Sequence, residues 1–321
     1  MTILLLIDIK NLILQLKNNY MRFISLGSDP EFFVLDPKGK PFPATLFAKG
    51  TKEFPVPIAE LGDGFFEQRD NLSFEGNVPP AYTKEDFVKN LSLLRKFFLN
   101  KVALFGYSLS NNGVEYFSKR YLDTAEGLEF GCSSTISSWD SSNKEIISRP
   151  TPILDGVNFR VSGFHIHIGY DEPLFKNKLQ TDILIGRLFD LFVTVPSHDI
   201  KPEPERIKTY GKWGMIRSKS YGVECRTLST FFTRHDWLDW VWDQVMKIEE
   251  FINLSNEEDI NLLTKSSHIL GTDKKDINNI FIGIFSHFKN LEILTKFNET
   301  NEIYKEIIAN TNNNSTTTNP I

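Results

Sequence analysis

Cysteine is scarce in this sequence, with two among 321 residues. Two cysteines cannot build a disulfide framework or a cysteine-rich zinc site, so reducing conditions are the default reading. An excess of one charge is missing too. Thirty-six basic residues stand against 41 acidic ones, a formal charge of −5, and no segment is strongly basic. That excludes the electrostatic footprint of a nucleic-acid binder. No apolar run approaches the roughly 20 residues of a membrane span. The most apolar stretch, MTILLLIDIKNLIL, is interrupted by Asp8 and Lys10. It also lacks the basic start and small-residue cleavage site of a signal peptide. These absences set the expectation of a cytoplasmic protein with neither membrane nor nucleic acid as partner. No G-x-x-x-x-G-K-[ST] loop occurs, no G-x-G-x-x-G follows a strand, and no repeat of 20–50 residues is visible.

What is present is enough for a folded core. Hydrophobic residues make up 40% and charged residues 24%, and 27 residues are Phe. The length allows one large α+β domain or two smaller ones. Residues 22–35 read as two strands around the turn residues Gly27-Ser28-Asp29-Pro30. Residues 36–71 read as loops and short strands. Leu72 to Asn77 reads as a strand stopped by Pro79-Pro80. Thr83 is placed to cap a helix whose apolar face is Phe87, Leu91, Leu94 and Phe98. Residues 101–118 look strand-like and residues 131–152 loop-like. Phe159 to Tyr170 reads as a strand, and Thr181 opens a second helix that Pro196 should end. Residues 214–229 form a hairpin pattern, Asp236 caps a third helix, and helices continue beyond 255. Strands come first and helices last, which suggests a mostly antiparallel sheet with helices on one face.

Four segments place chemistry-bearing residues at strand spacing, where alternate side chains share a face. In SGFHIHIG, His165 and His167 share one face, and Phe164, Ile166 and Ile168 share the other. The imidazoles would stand about 7 Å apart at Cα and could meet one metal, or one metal and a substrate. The plain alternative is a pair of surface histidines. In YGVECRTL, Glu224 and Arg226 share a face, while Cys225 points to the apolar side as a buried thiol. A surface ion pair explains that pattern equally well. Lys212, Arg217 and Lys219 add positive charge to the same hairpin. In LSFEGNVPP, Glu75 and Asn77 share a face, and in GSDPEFF, Glu31 begins a strand. Together these make a costly apolar layer but a good metal-lined cavity. Carboxylates with little sulfur suit Mg2+ or Mn2+, and nearby Arg and Lys suit phosphate. Arg160, at the head of the histidine strand, joins the candidates for substrate or ATP binding.

The order of these segments resembles the phage-type carboxylate–amine ligases (COOH–NH2 ligase type 2) of the glutamine synthetase and glutamate–cysteine ligase superfamily. GSDPEFFV at 27–34, LSFEGNVPPA at 72–81, SGFHIHIGY at 162–170 and YGVECRTLS at 221–229 carry the match. EFGC at 129–132 and YGKWGMIR at 210–217 agree more weakly, and the likeness covers roughly residues 22–245. The resemblance implies a curved, mostly antiparallel sheet with helices on its convex face and Mg2+ (or Mn2+) and ATP on its concave one. It implies metal roles for Glu31, Glu75, His165 and Glu224. It implies that Arg226, and Arg217 beside it, act on the transferring phosphate. His167, Asn77, Lys212 and Arg160 would then contact substrate or ATP. The implied reaction joins a carboxylate to an amine through an acyl phosphate, on an amino acid or peptide, in the cytoplasm of a phage's host. The implied layout is an extension over 1–20, a ligase-like domain over 21–255, packed helices over 256–310 and a disordered tail over 311–321. The start is equally readable as upstream sequence ahead of Met21. SSTISSWD after Cys132 departs from the pattern by lacking the acidic residues expected there, Asp140 being its only one.

Other readings compete. H-x-H followed by Glu172 fits a cupin oxygenase, but the glycine spacing and second histidine motif of that family are missing. A phosphotransferase of the same superfamily, an inactive nucleotide-binding relative, and a plain α+β domain with coincidental motifs also remain. Self-assembly through a sheet edge or the Trp-rich helix at 237–252 stands beside simple burial of that helix.

Overall fold

A computed structural model describes residues 20–128, 135–140, 158–265 and 274–297. The strands are β1 (Phe23–Phe32), β2 (Val34–Leu35), β3 (Pro41–Phe42), β4 (Val56–Pro57), β5 (Phe66–Asp70), β6 (Ser73–Ala81), β7 (Ser108–Leu109), β8 (Val114–Tyr116), β9 (Ile136–Ser137), β10 (Phe159–Val161), β11 (Phe164–Tyr170), β12 (Met215–Lys219) and β13 (Gly222–Cys225). Eight of them form one antiparallel sheet in the order β4-β5-β6-β1-β11-β13-β12-β9. The expected class, α+β with a mostly antiparallel sheet and helices against it, is the one observed.

Alternation along the strands separates the sheet's two faces. Phe32, Phe74, Phe164, Ile166, Ile168, Ile216, Val223 and Cys225 are buried in one continuous core that runs from Met21 to Phe297. The helix Lys84–Ala103 covers β6 from this side. Thr83 caps it, accepting from the Asp86 amide, and Phe87, Leu91, Leu94 and Phe98 are its buried stripe. Gly76 lets it approach, because a Cβ there would lie 2.8 Å from Leu94 and Phe98 side-chain atoms. The helix Lys178–Phe189 covers β12 and β13, and His235–Leu254 packs on the first helix. Glu257–Lys265, Lys274–Phe285 and Leu291–Phe297 follow, and Ile260, Leu263, Ile277, Phe281 and Phe285 enter the same core.

Five sequence expectations are corrected. Phe159–Tyr170 is two strands, not one, since β10 pairs with β8 in a sheet of its own and β11 starts after Gly163 in the large sheet. Residues 23–32 are one strand, not two around a turn. Pairing with β11 on one side and β6 on the other overrides the turn chemistry of Gly-Ser-Asp-Pro. β6 runs on through Pro79-Pro80. β5 pairs it only as far as Asn77, and a register shift opens its ladder with β1 there, so the missing prolyl N–H groups cost no ladder bond. The second helix begins at Lys178, capped by Asn177, and Pro196 does not end it. A π-turn at Asp190–Thr194 carries the chain into Val195–Ile200, with Pro196 in that segment's first turn. The helix from His235 has Arg234 at its cap position with no side-chain cap bond, in place of Asp236.

No described helix is long and apolar enough to cross a membrane. The EFGC motif, most of the loop-like stretch 131–152, residues 1–19 and the chain after 297 lie outside the described residues.

Candidate active site

The other face of the sheet carries a polar row whose members are set side by side by strand register. Asp29 on β1 pairs with His165 on β11, and Glu31 pairs with Glu75 on β6. Gln68 on β5 pairs with Glu75, and His167 pairs with Glu224 on β13, which pairs with Arg217 on β12. The four segments singled out in the sequence therefore meet on four adjacent strands. Asp29, Glu31, Glu75, His165, Glu224 and Arg226 are all buried.

The centre is Asp29, which stands alternate to Glu31 on the same strand. His165 Nδ1 lies 3.0 Å from Asp29 Oδ1 and 3.8 Å from Glu224 Oε1, and His167 Nε2 lies 3.2 Å from Asp29 Oδ1. Asp29 Oδ1, His165 Nδ1 and His167 Nε2 are buried and have no hydrogen-bond partner. They are close enough to bond one another, but not in a bonding direction. Asp29, His165 and Glu224 each offer an atom within 4.8 Å of the others, and all three residues are buried. Converging buried carboxylate oxygens and imidazole nitrogens fit a divalent cation, and the carboxylate oxygens suit Mg2+ or Mn2+. Asp29 was absent from the sequence-derived set because its Gly-Ser-Asp-Pro context reads as a turn. The period-2 relation to Glu31 was the signal that could have found it.

The surrounding contacts fix these groups. The Gly163 amide donates to Glu31 Oε2 at 2.7 Å, and Glu31 Oε1 lies 3.8 Å from His165 Nε2. Gly163 has no room for a side chain, since a Cβ would stand 2.7 Å from His165 Nε2. Gln68 Nε2 donates to Glu75 Oε2 at 2.7 Å. Buried Arg206 donates to the Ser162 carbonyl at 3.0 Å, the Leu228 carbonyl at 2.7 Å and the Thr227 carbonyl, tying the entry to β11 to the chain after β13. Nothing in the sequence marked it for this role.

Glu224 is crowded by cations. Arg226 Nη1 lies 2.6 Å, Lys219 Nζ 2.8 Å and Arg217 Nη1 3.1 Å from its oxygens. Arg226 is fully buried and also donates to Tyr210 Oη at 2.5 Å, whereas Arg217 and Lys219 are partly exposed. Tyr210 Oη lies 2.7 Å from His165 Nε2, and Tyr221 Oη lies 2.6 Å from His167 Nδ1, with the Tyr221 ring stacked on His167.

Electrostatics separates the carboxylates. Burial acts to raise Asp29, but the His167 and His165 imidazoles outweigh it and hold the group well below the usual carboxylate range. Burial and Asp29 push Glu224 up, yet Arg226 and the two imidazoles bring it down. Burial, then Asp70, Asp29 and Glu31, drive Glu75 well above the usual range. Burial and Arg226 lower His165. Burial also acts to lower His167, but Asp29 and Glu224 raise it overall.

The remaining expected residues are placed as follows. Asn77 is half-buried on β6, on the face of Glu75. Lys212 is exposed in the turn ahead of β12, and no ion pair holds it among the described residues. Arg160 is not brought to the row. It is buried on β10 in a separate two-stranded sheet, where its Nε donates to the Gly127 carbonyl at 3.0 Å. Cys225 is buried on the core face, and burial drives its thiol well above the usual range, as expected of a group that is not a nucleophile.

No family model matches the sequence, and no curated protein matches it. Three solved structures are similar in outline. A GmaS complex with ADP aligns at TM-score 0.43 and 9% identity over 84% of this chain and 66% of that one. A glutamine synthase homologue aligns at 0.36 and 10% over 95% and 70%. A bifunctional glutathione synthetase from Pasteurella multocida aligns at 0.39 and 11% over 94% and 48%. The chain thus spans about two thirds of the first protein and about half of the third. Likeness at this level carries no argument about chemistry, which rests on the chain's own geometry.

Proposed function

We propose that this protein is an ATP- and divalent-metal-dependent carboxylate–amine ligase of the glutamine synthetase and glutamate–cysteine ligase superfamily. It would form an amide or peptide bond through an acyl phosphate. The observation that carries the reading is the buried set of Asp29 Oδ1, His165 Nδ1 and Glu224 Oε1, aimed inward beside three cations that share one carboxylate. The motif resemblance supplies the reaction class, and it alone suggests the phage-type branch and a host-cytoplasm setting.

Asp29, His165 and Glu224 would hold one ion, and Glu31 and Glu75 would help hold another. Bound ions of this kind neutralise phosphate oxygens and orient phosphoryl transfer. Arg226 would act as a fixed donor to the moving phosphoryl group, since Tyr210 and Glu224 pin it. Arg217 and Lys219 would turn from Glu224 to the phosphates. One carboxylate cannot satisfy three cations, and both are exposed enough to move. His167 would sit beside the substrate carboxylate at the open side of the row, with Asn77 further along the face. Lys212, exposed ahead of β12, would serve from the rim. Arg160 belongs to the support of the Gly127 segment, so its assignment to substrate or ATP is not carried forward.

The test is incubation with Mg2+ or Mn2+, ATP and a pool of amino acids and short peptides. ADP and phosphate are followed, with mass spectrometry for products. Pool-dependent ADP release with a product one water lighter than its parents supports the ligase. ADP with a phosphorylated product and no amide makes it a phosphotransferase. AMP and pyrophosphate overturn the acyl-phosphate route.

A further inference from the structure

The two histidines of the row are held in the same way. Each offers one ring nitrogen to Asp29 Oδ1 and the other to a tyrosine hydroxyl. The two tyrosines differ. Tyr221 is 47% exposed, while Tyr210 is 4% exposed and its hydroxyl also meets Arg226 Nη2. Tyr210 is therefore a buried group outside the metal set that touches both the histidine of that set and the arginine of the phosphate set.

We propose that Tyr210 is a positioning residue for the metal site, an inference that rests on the ligase reading above. Its oxygen accepts from Arg226 Nη2 and from His165 Nε2–H, which leaves His165 Nδ1 bare and facing Asp29 and Glu224. A guanidinium can only donate, so Arg226 must occupy one lone pair of the Tyr210 oxygen. The same oxygen lies 2.7 Å from His165 Nε2, leaving its second lone pair for the Nε2 proton. The opposite arrangement has Tyr210 donating to Nε2 and puts the proton on Nδ1. There it would find no bond, because neither Nδ1 nor Asp29 Oδ1 has a hydrogen-bond partner despite their 3.0 Å separation. With Nδ1 bare, it and Asp29 Oδ1 face one another 3.0 Å apart beside Glu224 Oε1, which Arg226 already meets, and a cation bound among them relieves that. The partner on the far nitrogen of a metal-binding histidine fixes which nitrogen is offered and how the ring is turned. Here the same hydroxyl also fixes Arg226, so one side chain sets the spacing between the ion and the phosphate donor.

Two measurements test this. In the metal-free wild-type protein labelled with 15N-histidine, NMR reads the tautomer of His165 directly, its signals assigned by their loss in His165→Gln. A proton on Nε2 supports the inference, and a proton on Nδ1 overturns it. The tautomer is read in the wild-type protein, so a folding defect in Tyr210→Phe does not touch it. Second, calorimetric titration with Mn2+ and no nucleotide compares wild type with Tyr210→Phe, whose fold is checked by its thermal melt. A 10- to 100-fold loss of affinity is expected. Equal affinity within twofold overturns the positioning role while leaving the metal site standing. A wild-type protein that binds no Mn2+ overturns the ligase reading itself, and this inference with it.

Discussion

The two faces of the eight-stranded sheet are built from the same strands, yet they obey different rules. On the helix side, Phe164, Ile166 and Ile168 are buried against other apolar groups, each contributing stability by leaving water. One residue along, His165 is equally buried among Asp29, Glu31 and Glu224, and its surroundings work against one another. Two imidazoles crowd one oxygen of Asp29, one carboxylate holds three cations, and Glu75 is pushed towards its neutral form. A folding requirement alone would have filled that face with a satisfied network or with apolar groups. The contrast teaches that the helix face specifies the fold, while the row has the strained polar composition that the proposed ligand site would need.

The largest effects should separate the faces cleanly. Asp29→Asn removes the central carboxylate charge with almost no change of shape. Metal-dependent ATP turnover should fall by about a thousandfold or more, the scale of a lost electrostatic contact in a reacting site. The variant should still melt cooperatively, with any loss of stability at neutral pH reflecting the imidazoles' attraction for the charged Asp29. Ile166→Ala, one residue from His165 but on the other face, should do the reverse. It should cost about 3 kcal/mol of unfolding free energy by urea titration, with Mn2+ affinity within a few-fold of wild type. If both variants lose metal affinity and stability together, the two faces are not separable and the comparison fails.

Asp190 sharpens the contrast from the opposite direction. It is a buried carboxyl in the helix layer, accepting from Trp139 Nε1 at 2.8 Å, and burial raises it to about 7. Glu224 is as deeply buried, but cations lower it. The folded protein thus holds a proton on Asp190 that the unfolded chain releases near 3.8, the ordinary value. Because the folded state binds the extra proton, stability falls as pH rises from about 4 to about 7 and stays lower above that. The full effect is on the order of 4 kcal/mol. Asp190→Asn keeps an acceptor for Trp139 and should flatten this slope. Thermal melts of both proteins from pH 4 to 8 read it, and parallel curves would remove Asp190 as the cause.

Much of this was legible in the sequence because periodicity survives whatever surrounds it. The alternation in FHIHIG and VEC put the histidines and Glu224 on one face before any partner strand was known, and the Phe87–Phe98 stripe named the first helix's buried side. Local turn chemistry was the less reliable guide. It hid Asp29 inside a supposed turn and stopped β6 at prolines that in fact lie where no strand needs their N–H. Tyr210 and Arg206 were invisible for another reason. Each acts through contacts with residues 16 to 45 positions away, and no spacing rule in a single chain encodes those meetings.

The smallest effect concerns Glu75, the member of the row that its own neighbours push towards neutrality. Glu75→Gln copies the neutral form and leaves an oxygen for the amide of Gln68, its partner on β5. In chelator, at pH 8, the variant should be more stable than wild type by about 1 kcal/mol, the scale of one relieved buried repulsion. The gain should shrink as pH falls, because wild type then takes up the proton that the variant has no need of. Added Mn2+ should invert the order, stabilising wild type more than the variant, since a carboxylate that is a burden without metal becomes a ligand with it. If the variant is less stable in chelator at every pH, Glu75 is paid for by the fold itself and belongs with the helix face's logic, not the row's.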